Sequence, residues 1–592
     1  MSRLLITVAT IGCLTTAAVA APQHGLSMYG DPALPPDFEH LPYANPAAPT
    51  GGEIVFGEAA GFDSLNPYIL KGRAPWGVRA HVVESLLGRN WDEPFALYGL
   101  LAESVEVGTE REWVEFHLNP KAAFSDGSPV TVEDVVWSMQ TLAEEGRPNF
   151  RSSWDKVESW EQTGERSVRF NLSGEDRELP LILGLRPILK KADWDGIPFA
   201  ESSLRPLIAS GAYVIGDLEP NRFINFDRNP DYWGRDEPFN AGRHKLDRIR
   251  YEFFGDASVV WQSFTAGEIS VFREGDITKW ETGYDFPRAE NGDVVRSEIP
   301  HQRPSGMKGF VFNTRKPLFE DVRVRDALLH AFNFEWINER LNAGAYPRMT
   351  SFFANSQLAF DGEASEAERA LLAPYMDELN EDALTAYALP QSTGDLRNRR
   401  NLRKATQLLA EAGWTIQDGV LKNEAGVPFT FEILLRSSAN EGIANIYSDA
   451  LERLGIAVTL NLIDGAQYTE RLADYDFDMI VHRWALSLSP GNEQYNYWGS
   501  DGVETQGTRN YMGRGGEAAD AMIDAILSST TRDEFVTAVK ALDRVLTTGR
   551  YVIPFWHNPT SLVAHKSELS FPETLPIYGD WIGFMPDVWW SE

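Results

Sequence analysis

One stretch of the chain, residues 483–500 with the sequence "RWALSLSPGNEQYNYWGS", combines side chains that suit ligand recognition. Trp484 and Tyr495 flank a Ser-Pro-Gly-Asn turn, and Glu493 is the only acid. Aromatic rings bury a large area, and a few polar groups beside them fix the orientation of a bound molecule. Together with the other tryptophans that stand beside turn residues, the stretch favours a protein that binds a ligand in a cleft, although each single Trp suits a core as well.

Motifs of covalent and metal chemistry are absent from the sequence. It has no G-x-x-x-x-G-K-[ST], no helix-opening G-x-G-x-x-G, no G-x-S-x-G and no H-E-x-x-H, and its ten histidines are scattered. The 86 acidic residues could always supply a carboxylate pair for hydrolysis, but solvated surface acids are the preferred interpretation. We expect no catalytic residue, no metal ligand and no cofactor.

The first residues, "MSRLLITVATIGCLTTAAVAAPQ", have the order of a secretory signal peptide that ends at Ala20. The only cysteine, Cys13, lies within it, and lipoprotein anchoring there is disfavoured because Thr10 stands where an aliphatic residue is usual. The mature chain would then contain no cysteine, which suits a large periplasmic protein better than a small secreted one. We expect a periplasmic location.

The charge balance limits the possible partners. With 54 basic and 86 acidic residues, the formal net charge is −32, which repels phosphate backbones and anionic lipids. Neither nucleic acid nor membrane insertion is expected, since no later segment reaches the length of a membrane span. At long range the charge favours cationic ligands, although a role in solubility alone is the preferred interpretation.

Local patterns predict the elements that must position the cleft. "GEIVFGEA" reads as a strand, "VESWEQTGERSVRFNL" as a hairpin, and Thr131 as the N-cap of a helix. Apolar spacing predicts one amphipathic helix over residues 323–340 and a second helix that Gly413 ends. The order of strands and helices after residue 427 predicts a mainly parallel α/β sheet. The Pro-rich arm before residue 50 should be ordered only if Tyr29, Phe38 and Tyr43 dock on the body.

Several motifs in order carry a family resemblance: "AFSDGSPVTVEDVVWSM", "RNPDYWG", "FNTRKPLFEDVRVRDALLHAFN" and "ATQLLAEAGW". On these the chain resembles the family 5 extracellular solute-binding proteins of ABC importers, the oligopeptide, dipeptide and nickel class. "YANPAAPTGGEI", "SPGNEQYNYWGS" and the terminal "DVWW" resemble the subgroup of Yej-type oligopeptide and microcin C binding proteins.

The resemblance implies an α/β fold with two lobes that close as a clamshell, and an additional inserted subdomain in lobe I. The implied boundaries are a signal peptide at 1–20, an arm at 21–50, lobe I at 51–305 with the insert at about 75–205, lobe II at 306–553, and a return to lobe I at 554–592. The implied function is capture of oligopeptides or peptide-like compounds, microcins among them, for an inner-membrane permease and its ATPase. We expect a monomer.

The resemblance also implies ligand contacts from both lobes, at Phe62, Asp63, Ser64, Asn66, Met307, Trp484, Ser487, Asn492, Glu493 and Tyr495. Many peptide binders of the family have an acid three positions after the tryptophan to pair with the ligand ammonium, but here that residue is Ser487. Glu493 or Asp63 could supply the charge, or the ligand could lack a free amine. Glu493 is the preferred candidate; the alternative is that it caps the turn and faces solvent.

Two other functions remain open on the sequence. The same fold could bind a non-peptide ligand such as an opine, an oligosaccharide or a metal chelate. A secreted hydrolase that uses two acids across the cleft is the alternative from another class.

Overall fold

The structure is a computed structural model that describes residues 22–59, 61–174, 176–581 and 583–592. The predicted signal peptide, with Cys13 and Ala20, lies outside the described residues.

The first half of the chain forms one large sheet with two small sheets beside it. Its elements are β1 (Gly25–Ser27), β2 (Glu53–Ala59), β3 (Leu87–Arg89), β4 (Ala96–Gly99), β5 (Ala102–Val107), β6 (Trp113–Leu118), α1 (Val132–Glu145), α2 (Pro148–Trp154), β7 (Val157–Gly164), β8 (Ser167–Leu172), α3 (Leu179–Gly184), β9 (Tyr213–Glu219), β10 (Phe223–Arg228), β11 (Arg248–Phe254), α4 (Ala257–Ala266), β12 (Val271–Glu274), α5 (Ile277–Thr282), α6 (Pro287–Glu290) and β13 (Val294–Pro300).

The second half forms another sheet and then returns to the first. Its elements are β14 (Gly309–Phe312), α7 (Val322–Ala331), α8 (Phe334–Asn342), α9 (Glu366–Leu372), α10 (Arg399–Glu411), β15 (Thr415–Gln417), β16 (Val420–Lys422), β17 (Thr430–Leu435), α11 (Glu441–Glu452), β18 (Ala457–Leu462), α12 (Gly465–Ala473), β19 (Met479–His482), α13 (Glu493–Trp498), α14 (Glu517–Ser528), α15 (Arg532–Thr548), β20 (Val552–Pro554), β21 (Thr560–Lys566), β22 (Leu569–Ser570) and β23 (Trp590–Ser591).

Each large sheet is the centre of one lobe. We call lobe I the body on the seven-stranded sheet of order β13-β21-β12-β2-β11-β10-β9, and lobe II the body on the five-stranded sheet of order β18-β17-β19-β14-β20. An inserted part with sheets β5-β6-β8-β7 and β1-β4-β3 has its own apolar core. Within the described residues the chain passes between the two large sheets at residues 301–308 and again at 555–559.

The strands on which the prediction of a parallel sheet rested, β17, β18 and β19, are parallel, but each large sheet as a whole is mixed. In lobe I, β2 pairs in parallel with β11 and β12, but β9, β10, β13 and β21 make antiparallel pairs. In lobe II, β17 is parallel to β18 and β19, whereas β14 is antiparallel to β19 and β20. The alternation of strands and helices identified the parallel strands β17, β18 and β19 but not the antiparallel ones, since strands that join a sheet from distant positions leave no local signal.

Local predictions fared better. The Thr131 hydroxyl accepts a hydrogen bond from the Asp134 amide at 3.2 Å, and the Asp134 carboxylate accepts one from the Thr131 amide at 3.0 Å, which closes a capping box on α1. The hairpin is β7 and β8, and Gly413 follows α10 with a φ of +86°. The single helix predicted over residues 323–340 is wrong, because the chain breaks into α7 and α8 at Phe332 and Asn333.

The amino-terminal arm docks on both the inserted part and lobe II. Tyr43 is fully buried, and its hydroxyl accepts a hydrogen bond from the Trp91 amide at 3.0 Å. The Tyr29 ring lies 5.2 Å from that of Phe95 and 5.7 Å from that of Phe535 in α15. The arm is thus ordered by aromatic contacts of the kind that its sequence requires.

Candidate ligand-binding site

A cleft of about 770 Å³ lies between the two lobes. The end of β12, both chain crossings, residues 483–489 and the segment around Tyr578 and Trp581 line it. This size is within the range of small-molecule sites. A second void between the arm, α3 and α15 holds only about 50 Å³, too little for an organic ligand.

Residues 483–489 form an extended wall of the cleft with alternating burial. Trp484, Leu486 and Leu488 are buried, with exposed fractions of 1%, 9% and 1%; Trp484 and Leu486 pack in the core of lobe II, and the edge of Leu486 also reaches the cleft. Between them, Arg483, Ala485, Ser487 and Ser489 face the cleft. This is the period of a half-buried strand, and the small side chains leave the backbone accessible.

The backbone of this wall is available to a ligand. The Trp484 amide donates to the Gly306 carbonyl at 2.9 Å, and the Leu488 amide donates to the Tyr578 hydroxyl at 3.0 Å. Between them, the amides and carbonyls of residues 485–487 form no hydrogen bond within the described part of the chain. Unpaired backbone groups on an extended segment are the template to which another strand adds.

Two carboxylates, Glu178 from the inserted part and Glu493 from lobe II, line one end of the cleft. Glu493 accepts hydrogen bonds from the Gly491 amide at 3.1 and 3.2 Å, and Glu178 accepts one from the Asn492 amide at 3.3 Å. Gly491 allows this approach, because a Cβ there would lie 2.1 Å from a Glu178 oxygen. We call this pair the acidic end.

The pKa values of both carboxylates at the acidic end are raised. Burial raises the pKa of Glu178, and the nearby Glu493 and Asp176 raise it further. Burial also raises the pKa of Glu493, although hydrogen bonds and Arg89, which also lines the cleft, oppose this. Neither carboxylate forms an ion pair within the described residues. An ammonium group placed between them would supply an ion-pair partner.

Asn492 joins the lobes at the acidic end. Its side-chain amide donates to Asp176 at 3.0 Å and to Glu178 at 3.2 Å, and its carbonyl oxygen accepts from Lys156 at 3.1 Å. Asp176 in turn pairs with Lys156 at 2.6 Å. Asn492 thus holds lobe II against the inserted part instead of facing the cleft.

Aromatic rings and cations form the remaining walls. The rings are Trp91, Tyr346, Trp556, Tyr578 and Trp581, and the cations away from the acidic end are Arg273, Arg303, Lys308 and Arg483. Trp581 keeps 42% of its surface exposed, and its ring lies 5.2 Å from the Arg303 guanidinium. Rings of this kind provide apolar pockets for ligand side chains.

The structure brings few of the predicted site residues together. Ser487 and Glu493 line the cleft, and Asn492 lies beside it. Asp63 accepts a hydrogen bond from the Arg73 amide at 2.6 Å, and Tyr495 donates to Asp524. The other predicted residues are buried away from the cleft lining, namely Phe62, Ser64, Asn66, Met307 and Trp484.

Sequence reasoning missed Glu178 and the four cations. Glu178 is 314 residues from Asn492, so no local pattern joins them. For Trp484 a signal was present, because "RWALSLS" alternates between apolar and small or polar residues and predicts one buried face.

The described residues contain no group of three or more His, Cys, Asp or Glu side chains that could hold a metal ion. In the same part of the chain, every helix is too short or too polar to cross a membrane.

Comparisons with known proteins agree with this architecture. The family described as bacterial extracellular solute-binding proteins, family 5 Middle, matches residues 96–506. A Brucella melitensis protein named as a binding protein is 44% identical over 96% of this chain and 94% of its own. The peptidoglycan-binding protein YepA of Agrobacterium fabrum is 39% identical over 97% of this chain and 96% of its own.

Among solved structures, the oligopeptide-binding protein AppA from Bacillus subtilis, in complex with a nonapeptide, superposes with a TM-score of 0.70. It is 21% identical, and the match covers 92% of this chain and 100% of AppA. At this identity the likeness concerns the fold, which is that of a two-lobed binding protein.

Proposed function

Because this chain belongs to family 5 of the bacterial extracellular solute-binding proteins, we propose that it is the periplasmic component of an ABC importer and that its cleft captures short peptides or peptide-like compounds. The family consists of substrate-binding proteins and not enzymes. Its role is then to enclose a ligand between the lobes and to deliver it to a permease and its ATPase. Closure is favoured only by contacts that the ligand makes in the closed state.

The observation that carries this proposal is the free backbone of residues 485–487 along the cleft. A peptide main chain offers alternating donors and acceptors that such a segment can pair with, whatever the peptide sequence. The acidic end supports the same ligand class, because Glu178 and Glu493 can receive a peptide ammonium.

A second candidate is a cell-wall peptide that carries an amino sugar. Trp91, Trp556 and Trp581 offer faces for a sugar ring. The relative YepA, 39% identical, is named a peptidoglycan-binding protein. Both candidates share a peptide part, which the extended wall would hold in the same way.

Isothermal titration of the ligand-free mature protein tests the proposal. The arms are mixed tri- to hexapeptides, a microcin-type peptide, a muropeptide, an oligosaccharide set and metal chelates. We expect heat of binding from the ligands that contain a peptide. Glu493→Gln should reduce the affinity for these ligands, and Glu158→Gln should leave it unchanged. Glu158 is a matched control, because it is exposed on β7 and lies outside the cleft lining. Binding of sugars or chelates without peptides would contradict the proposal.

A further inference from the structure

The cleft end at the chain crossings carries an excess of positive charge, although the whole chain is strongly acidic with a net charge of −32. We call the basic end the group Arg273, Arg303, Lys308 and Arg483, all of which line the cleft. Local charge of the opposite sign to the rest of a protein indicates a local function, since solubility does not require it.

Two of these cations share a single acid. Asp580 is 1% exposed and accepts from Arg273 at 2.7 Å and from Arg303 at 2.8 Å. Although burial opposes ionisation, the two guanidinium groups hold the pKa of Asp580 at about 2. The remaining Arg303 bonds reach the Tyr578 carbonyl and the Ser561 hydroxyl, both at 2.7 Å, and these partners are neutral.

The other two cations have no acid partner. The Arg483 Nε donates to the Ser305 carbonyl at 2.9 Å, and its two Nη atoms form no hydrogen bond within the described residues. The Lys308 Nζ likewise forms neither a hydrogen bond nor an ion pair there. Glu274, the nearest acid of β12 that lines the cleft, is engaged by Lys279 at 3.1 Å.

Lys308 and Arg483 also repel each other. Gly309 pairs with His482 at the end of the antiparallel strands β14 and β19, and these two cations occupy the next position on each strand. Like charges opposite each other across such a pair are destabilising. Burial lowers the pKa of both groups, and Arg483 lowers that of Lys308 further. The neighbouring His301 and His557 are driven toward the neutral form by burial, so they add little charge.

We propose that the basic end binds an acidic ligand terminus that carries two carboxylates, and that Lys308 and Arg483 contact them. Four cations against one buried carboxylate leave more positive charge than one carboxylate would neutralise. Because the extended wall begins at Arg483 and is followed by Glu493, a peptide along it places its ammonium at one end and its carboxylates at the other. This inference deepens the proposed function and rests on it.

The test uses alanine peptides of three to six residues in three versions, ending in Glu, in Gln, or in Gln amide. We expect affinity to fall about tenfold or more at each step from Glu to Gln to the amide, the scale of one charge-assisted hydrogen bond. Equal affinities for the three versions would overturn the inference and leave the proposed function intact. If no peptide binds, the proposed function is wrong. Isolation of a native ligand with fewer than two acidic groups would also overturn the inference about the basic end.

Variants separate recognition from folding. Lys308→Met and Arg483→Met should each reduce the preference for Glu over Gln to less than about threefold. A structural role would weaken both peptides equally and leave that ratio unchanged, which would contradict the inference. Lys404→Met is the matched control, because Lys404 is exposed on α10 and outside the cleft lining.

Discussion

Replacement of Glu493 by Gln tests the acidic end directly. Within the described residues, the carboxylate receives hydrogen bonds only from neutral donors, the Gly491 amide and the Gln494 side chain at 3.0 Å. A Gln oxygen can still accept from Gly491, so the local structure loses about one neutral hydrogen bond, or about 1 kcal/mol. The same change removes the repulsion between two half-buried carboxylates, which offsets that loss. The ligand-free protein should therefore unfold at an unchanged or higher temperature.

Binding should respond in the opposite direction. A charge-assisted hydrogen bond to the ligand ammonium contributes about 1.5 to 3 kcal/mol, which corresponds to a loss of about ten- to hundredfold in affinity. The loss is partial, because Glu178 keeps the second carboxylate at this end. Titration of the wild type and the variant with a free peptide and with its N-acetylated form gives a double-mutant cycle.

In that cycle, the variant should lose affinity for the free peptide but not for the acetylated one. If Glu493→Gln weakens both peptides by the same factor, the carboxylate does not contact the ammonium. The turn-cap interpretation of Glu493 would then be correct. Glu158→Gln serves as the control, because it removes one exposed negative charge on β7 and should leave the affinity for both peptides unchanged.

Four further results are expected. Lowering the pH should reduce the affinity for peptides with a free amino group, because Glu178 and Glu493 have raised pKa values and must ionise to bind an ammonium. Calorimetric titration in two buffers of different ionisation enthalpy should therefore show that protons are released on binding. Binding without proton release would contradict this prediction. The two carboxyl groups bind their protons more tightly in the folded than in the unfolded state, because their folded-state pKa values are raised. The free energy of unfolding of the ligand-free protein should therefore fall as the pH rises from about 4.3, the unfolded pKa, through the raised folded-state values. N-methylation of a central peptide bond should cost about three- to tenfold in affinity if the wall pairs with the ligand backbone, whereas unchanged affinity would contradict strand addition. Trp484→Ala should destabilise lobe II by about 3 to 5 kcal/mol in denaturant unfolding, because the ring is 1% exposed; a small effect would contradict its core position.

Local chemistry explains how much of the fold the sequence could predict. The capping box of Thr131 and Asp134 needs only residues three apart, so the local sequence predicts it. The local sequence does not predict the break between α7 and α8, because the apolar spacing continues across it. There the Asn333 side chain instead donates to the Asp395 carbonyl at 2.7 Å, a contact across 62 residues.

The candidate site shows the same limit. Glu493 was accessible to sequence reasoning because it lies in a distinctive turn, whereas its neighbour Glu178 comes from the inserted part of the chain. The opposition of Lys308 and Arg483 depends on the pairing of β14 with β19, which no local pattern defines. The resemblance placed Trp484 at the ligand, whereas its ring is 1% exposed in the core of lobe II, because a large ring suits a core as well as a cleft.

Native mass spectrometry of the protein purified without added ligand tests the central claim most directly. A protein that encloses its ligand in this cleft of about 770 Å³ should retain the molecule that it captured, and denaturation should release it for sequencing by fragmentation. We expect a peptide with a free amino terminus, identified by fragment ions whose mass differences correspond to amino-acid residues. A sugar without a peptide part, an opine or a metal chelate as the retained molecule would contradict the account.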